Sequence, residues 1–174
     1  MTVIMRGRGR GRGRRRFRLA KRTAGAAIVI LGVLFTSACG LTVPTDPDGT
    51  LDSVQGTTMQ VGVSPDEGLV DVHGPEPSGP LVELAEEFAT SLDTRIDWTV
   101  GSEETLVGEL EAGNLDLAIG GFTDQTPWTD RVGVTRGYKN IDGADGRSVI
   151  FLVPLGENAF LSELEAFLDE EVGS

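Results

Sequence analysis

Beyond residue 22 this chain has few basic side chains, and throughout it has one cysteine, one histidine and one tyrosine. Each shortage excludes something. A lone cysteine, Cys39, leaves no intrachain disulfide to form. The lone histidine, His73, sits in a Gly/Pro loop without cysteine neighbours, so neither a metal site nor a Ser-His catalytic pair is expected on it. No phosphate-binding loop, nucleophile elbow or cluster of metal ligands occurs, and we expect no catalytic residue, no bound metal and no cofactor. Asp46, Asp48 and Asp52 lack the spacing of a calcium loop and Pro47 intervenes, so they read as an acidic linker. The apolar run from Ala24 to Phe35 is only twelve residues long. That is too short to cross ~30 Å of hydrocarbon as a helix.

What precedes and follows that run gives it a meaning. Ten of the 15 Lys and Arg lie between Arg6 and Arg22, and the run ends in Thr36-Ser37-Ala38-Cys39-Gly40. A basic region, a short apolar region and small residues make a secretory signal. The Ser-Ala-Cys-Gly junction resembles a bacterial lipobox, with Thr36 where leucine is usual. Residues 1–38 are therefore expected to be a signal peptide and Cys39 to carry lipid, holding the protein at the extracytoplasmic face of the cell membrane. The Arg-Gly alternation from Arg6 to Gly13 looks like a nucleic-acid-binding tail but lies on the segment to be removed. Arg14-Arg15-Arg16-Phe17 faintly resembles a twin-arginine signal, without the preceding Ser or Thr, so both export routes stay open. Met5 would serve as a start as well as Met1.

Cleavage changes the charge. All 27 acids lie beyond residue 38, with only Arg95, Arg131, Arg136, Lys139 and Arg147 to oppose them: 22 net negative charges, against −12 for the whole chain. Such a surface repels nucleic acid and anionic headgroups and suits a cationic ligand, a cationic partner or simple solubility.

Residues 39–57 are rich in Pro, Thr, Asp and Gly without apolar periodicity, and read as a flexible tether behind Cys39. Residues 58–171 suffice for one modest core and not for two domains. Within them strand and helix signals alternate. Thr58 to Val63 is a β-type run. Ser78-Gly79-Pro80 opens a helix whose Leu81, Leu84, Ala85, Phe88, Ala89 and Leu92 form one stripe. Arg95 to Val100 alternates like a strand buried on one side, with Ile96, Trp98 and Val100 on the core face and Asp97 and Thr99 on the other. Ser102 caps a second helix that Gly113-Asn114 stops. Leu115 to Ile119 and Val132 to Val134 are further strands, Lys139 to Arg147 a polar loop, and Val149 to Val153 an apolar run suited to an interior strand. A last helix spans about Glu157 to Glu170. The pattern predicts a single α/β sandwich with a largely parallel sheet.

Ligands of such sheets bind at the carboxyl ends of the strands, which here carry Ser64 to Gly68, Gly101-Ser102, Gly120 to Thr123 and Thr135-Arg136. Gly120 and Gly121 allow close backbone approach and Thr123 offers a hydroxyl; the same residues also suit a plain tight turn. Met59 to Pro65, the helix from Pro80, and Leu110-Glu-Ala-Gly-Asn-Leu-Asp-Leu-Ala-Ile-Gly-Gly together resemble the first lobe of bacterial extracellular solute-binding proteins of the polar-amino-acid uptake type. Thr135-Arg-Gly-Tyr138 is similar to that family's Ser/Thr-x-Pro-Tyr segment. The resemblance covers residues 58–138, with 149–168 as the returning strand and helix. It implies lobe 1 of a type II periplasmic binding protein, serving or descended from an ABC importer. It also implies a ligand site drawn from Ser64, Gly120, Gly121, Thr123, Trp128, Arg131 and Thr135.

Two departures qualify that expectation. The family's second lobe would have to fit between Tyr138 and Val149, where ten residues stand. The arginine that the family places five residues beyond the hydroxyl matched by Thr123 is Trp128 here; Arg131, three further on, is the candidate to reach inward. The expected partners are a small solute, an amino acid or cationic compound held weakly, the membrane through the lipid, and an ABC permease or a second chain completing the cleft. Nucleic acid is not among them. The alternative is a protein-interaction or sensory lipoprotein using a degenerate lobe as scaffold. Replacing Cys39 with Ala should release the protein from membrane fractions or leave an unprocessed precursor, as read by fractionation and mass; wild-type processing and retention would refute the anchor.

Overall fold

The computed structural model describes residues 46–173; the expected signal peptide, Cys39 and the front of the expected tether lie outside them. Among the described residues no helix is long and apolar enough to cross a membrane. The elements in chain order are α1 (Thr50–Val54), β1 (Thr58–Val63), α2 (Pro80–Ser91), β2 (Arg95–Val100), α3 (Glu103–Glu111), β3 (Leu117–Ile119), β4 (Gly133–Val134), β5 (Leu152–Val153) and α4 (Asn158–Glu171).

The strands form one sheet in the order β2-β1-β3-β5-β4. β1 pairs in parallel with β2 and with β3, whereas β5 runs antiparallel to both β3 and β4. The sheet is thus largely parallel with one reversed strand. The reversal has a local cause: no crossover helix separates β4 from β5, and a chain that doubles back directly must return antiparallel.

Side-chain alternation sorts the core into two layers. Leu117, Ile119, Val149, Phe151 and Val153 join Met59, Val61 and Val63 on the face covered by α2 and α4. Ala118, Ile150 and Leu152 point the other way, against Leu106, Val107 and Leu110 of α3. The apolar run 149–153 is buried throughout and lies inside the sheet, although only its last two residues form regular ladder. Proline at the first position of α2 follows Gly79, whose φ of 118° and contact with Leu69 leave no room for a Cβ, which would sit 2.7 Å from the Leu69 carbonyl oxygen. Ser102 caps α3 by accepting from the Thr105 N–H.

The tether reading needs correction over residues 46–57. These residues pack on the domain, with Val54 1% exposed, and the compact unit includes them. Two carboxylates trade helix ends. Asp46 Oδ1 accepts from the N–H groups of Ala159 (2.7 Å) and Phe160 (3.0 Å) in the first turn of α4, and its Oδ2 accepts from Leu51 N. In return Glu157, the residue before α4, accepts from Asp48 N and Thr50 N at 2.9 Å each. Each acid satisfies donors that a helix start leaves unpaired. Glu157 is 1% exposed, so removing it strands buried donors. Glu157→Ala should lower stability by about 1–3 kcal/mol in urea melts, with Glu157→Gln, which keeps one acceptor, losing less; an unchanged midpoint in both would refute the exchange.

Candidate functional site

From β1 the chain goes through α2 to β2 on one side, then returns past β1 through α3 to β3 on the other. The two connections bury opposite faces, as the separate apolar clusters record. Beyond the carboxyl ends of β1 and β3 the chain therefore diverges, which is where open α/β sheets accept ligands.

Ser64 is the first residue there, buried, with its N–H donating to Ile119 O at 2.9 Å. The exit of β3 lies directly over it. A Cβ on Gly120 would stand 2.9 Å from Ser64 Cβ and 3.0 Å from its carbonyl oxygen, and one on Gly121 would stand 2.0 Å from Asp66 Oδ2. Both glycines are thus demanded by close approach of two loops. Asp66 in turn receives a fork from Arg147: Nη1 to Oδ2 at 3.1 Å and Nη2 to Oδ1 at 2.8 Å. Arg147 Nε donates to Ala144 O at 3.2 Å, fixing the guanidinium plane. The carboxylate beside it raises the Arg147 pKa and keeps the charge in place.

Asp66 and Arg147 were not among the sequence candidates. A signal existed: Arg147 is one of five basic residues in the acidic part of the chain, and Asp66 lies in the turn assigned to the end of β1.

The other candidates separate. Thr123 bridges to Val149, and its hydroxyl accepts a long bond from Gln125 N within a local turn. Thr135 is buried, and its hydroxyl is consumed: it accepts from Phe151 N at 3.0 Å and donates to Arg136 O at 2.8 Å. Trp128 packs against the α3 layer. Arg131 does not reach inward. It is bonded to Glu111 at the far end of α3, beside Asp116 and Leu155 at the amino-terminal edge of the parallel strands, with its guanidinium 5.2 Å from the Trp128 ring. An acid on one side and an indole face on the other hold it there. The structure therefore brings together Ser64, Gly120 and Gly121, keeps Thr123 two residues further along the same loop with its hydroxyl in a local turn, and leaves Trp128, Arg131 and Thr135 outside that group.

No protein-family model matches the chain, and neither does any curated protein. Solved structures match its fold. The arginine-bound form of domain 1 from TmArgBP is 21% identical with a TM-score of 0.56, over 65% of this chain and 92% of that one. A periplasmic binding protein of Salmonella typhimurium, described for high arginine specificity, is 13% identical with a TM-score of 0.54, over 68% and 94%. The ancestral amino-acid-binding protein AncCDT-1, a precursor of cyclohexadienyl dehydratase, is 14% identical with a TM-score of 0.54, over 70% and 92%. The neighbours are mostly binding proteins, and the likeness is one of fold: a single α/β domain with a mostly parallel mixed sheet, as in lobe 1 of type II periplasmic binding proteins.

The segment after Thr135 is held by its own network. Arg136 contacts Asp169 at 2.8 Å and Glu165 at 3.4 Å, and its Nε donates to the Tyr138 hydroxyl at 3.1 Å. Tyr138 is 1% exposed, and desolvation pushes its pKa up to about 12. Unfolded tyrosine ionises near pH ~10, so stability present below that pH is lost as the pH rises toward about 12. The loss should reach about 2 kcal/mol and be absent in Tyr138→Phe. As the only tyrosine in the chain, its phenolate absorbance reads the titration directly; ionisation at the ordinary pH in the folded protein would contradict this.

Proposed function

We propose that this protein is a lipid-anchored, extracytoplasmic solute-binding-like module, associated with or derived from an ABC-type small-solute uptake system. The observation that carries this reading is the topological switch point between β1 and β3, the place where open α/β sheets form a ligand crevice. There a serine, a carboxylate and two glycines meet at the strand ends, Gly120 against the Ser64 carbonyl and Gly121 against the Asp66 side chain. The arginine and amino acids named for its fold neighbours support a solute of that class, an amino acid or a cationic compound. Binding rather than catalysis is the role proposed, since the crevice carboxylate is spent on an ion pair and offers no free acid or base. Lipidation at Cys39 and the signal peptide 1–38 belong to the same proposal.

One wall leaves a solute half solvated, whereas small-ligand sites usually bury ~70–90% of the ligand. A permease or a second chain would supply the other wall. The second reading, an interaction or sensory lipoprotein built on a degenerate lobe, is favoured by the fact that Thr135 and Asp66 are already engaged within the chain. Calorimetry on residues 40–174 should find common amino acids bound at roughly millimolar Kd, about −4 kcal/mol. Micromolar binding of an α-amino acid, lost in Thr123→Val, would overturn the weak-wall reading and make this a self-sufficient binding protein.

A further inference from the structure

We propose that Arg147 is a built-in occupant of the crevice. Its guanidinium fills the place at Asp66 that a free guanidinium-bearing solute would take, so the loop from Lys139 to Arg147 gates the site. This deepens the solute-binding reading and rests on it.

The contact has the form of ligand recognition rather than of a general charge pair. Two parallel N–H donors meet two carboxylate oxygens at 3.1 and 2.8 Å, the planar fork that favours guanidinium over ammonium. Asp66 is preset to receive it. Its backbone closes a turn with Leu69 and Val70, and Gly121 lies against its carboxylate. The donor arrives on the Lys139 to Arg147 connection, which lies against the exit of β1. That loop leaves and rejoins the sheet through Tyr138 and Val149, which exchange N–H to O bonds at 2.8 and 2.9 Å. It presses on the exit of β1, where a Cβ on Gly143 would fall 2.1 Å from Gly68 O. Gly143 and Gly146 take left-handed φ angles of 78° and 80°, turning the chain so that Arg147 faces back toward Asp66.

The pair is also replaceable. The Arg147 and Asp66 side chains are 36% and 23% exposed, so water and a competing cation reach both. A surface with 22 net negative charges beyond residue 38 concentrates cations around it.

The test is a calorimetric titration of the full chain with L-arginine and with L-citrulline, its neutral isostere. Arg147→Ala should bind arginine at least tenfold more tightly than wild type does, with no such gain for citrulline. Adding Asp66→Asn should abolish the gain. A folded Arg147→Ala chain that binds arginine no better than wild type, or a gain that survives Asp66→Asn, overturns the proposal. Should Arg147→Ala fail to fold, the wild type still decides: the Arg147 Nε–H resonance should shift saturably with arginine and not with citrulline, and an unmoved resonance overturns it. Weak amino-acid binding by wild type with no gain on removing Arg147 refutes the gate alone. If no solute perturbs the crevice in either protein, the solute-binding reading falls with it.

Discussion

The pairing of β1 with parallel strands on both edges is the constraint from which the rest of the site follows. Parallel strands cannot be joined by a tight turn, so each neighbour requires a crossover, and crossovers of one hand to opposite sides must cover opposite faces. That arrangement sets α2 and α3 apart, divides the apolar interior into two layers, and makes the exits of β1 and β3 the switch point of the sheet. Gly120 and Gly121 are the local expression of this geometry, since the second exit passes within contact distance of the first.

Charge is arranged with the same economy. Of the five basic residues in the acidic part, Arg131, Arg136 and Arg147 each hold a segment that follows β3. The first ties its loop to the end of α3, the second ties the end of β4 to α4, and the third ties the β4–β5 connection to the exit of β1. Exposed pairs contribute little each. Their effect here is to choose one position for segments that the short strands β4 and β5 anchor only briefly.

Much of the architecture was legible because it is written in short-range periodicity. The α2 stripe, the alternation of β2 and the apolar run 149–153 each depend on residues within a turn or two of one another; the stripe and the run appear where the pattern put them, while β2 half-buries Ile96 and Trp98 but leaves Val100, expected on the same face, 55% exposed. What the sequence concealed is long-range. Residues 46–57 look like a linker because their partners lie more than a hundred positions away, on Glu157 and at the start of α4. The strand-end loops at 64–68 and 120–123 were placed at the crevice from their position alone. Which side chains in them remain free was not legible, because hydroxyl and guanidinium groups are claimed by partners that only the folded chain supplies. Thr135, Arg131 and Arg147 are the three instances.

Tyr138 and Val149 face each other across a mutual pair of backbone bonds, so the segment between them begins and ends at one point of the sheet. Whatever length of chain is spliced in there, the ladder on either side is undisturbed, and loop entropy grows only with the logarithm of that length. The fold is in this respect modular: the sheet fixes where the connection starts and stops, while its contents, Gly143 against Gly68 and Arg147 against Asp66, decide what faces the exit of β1.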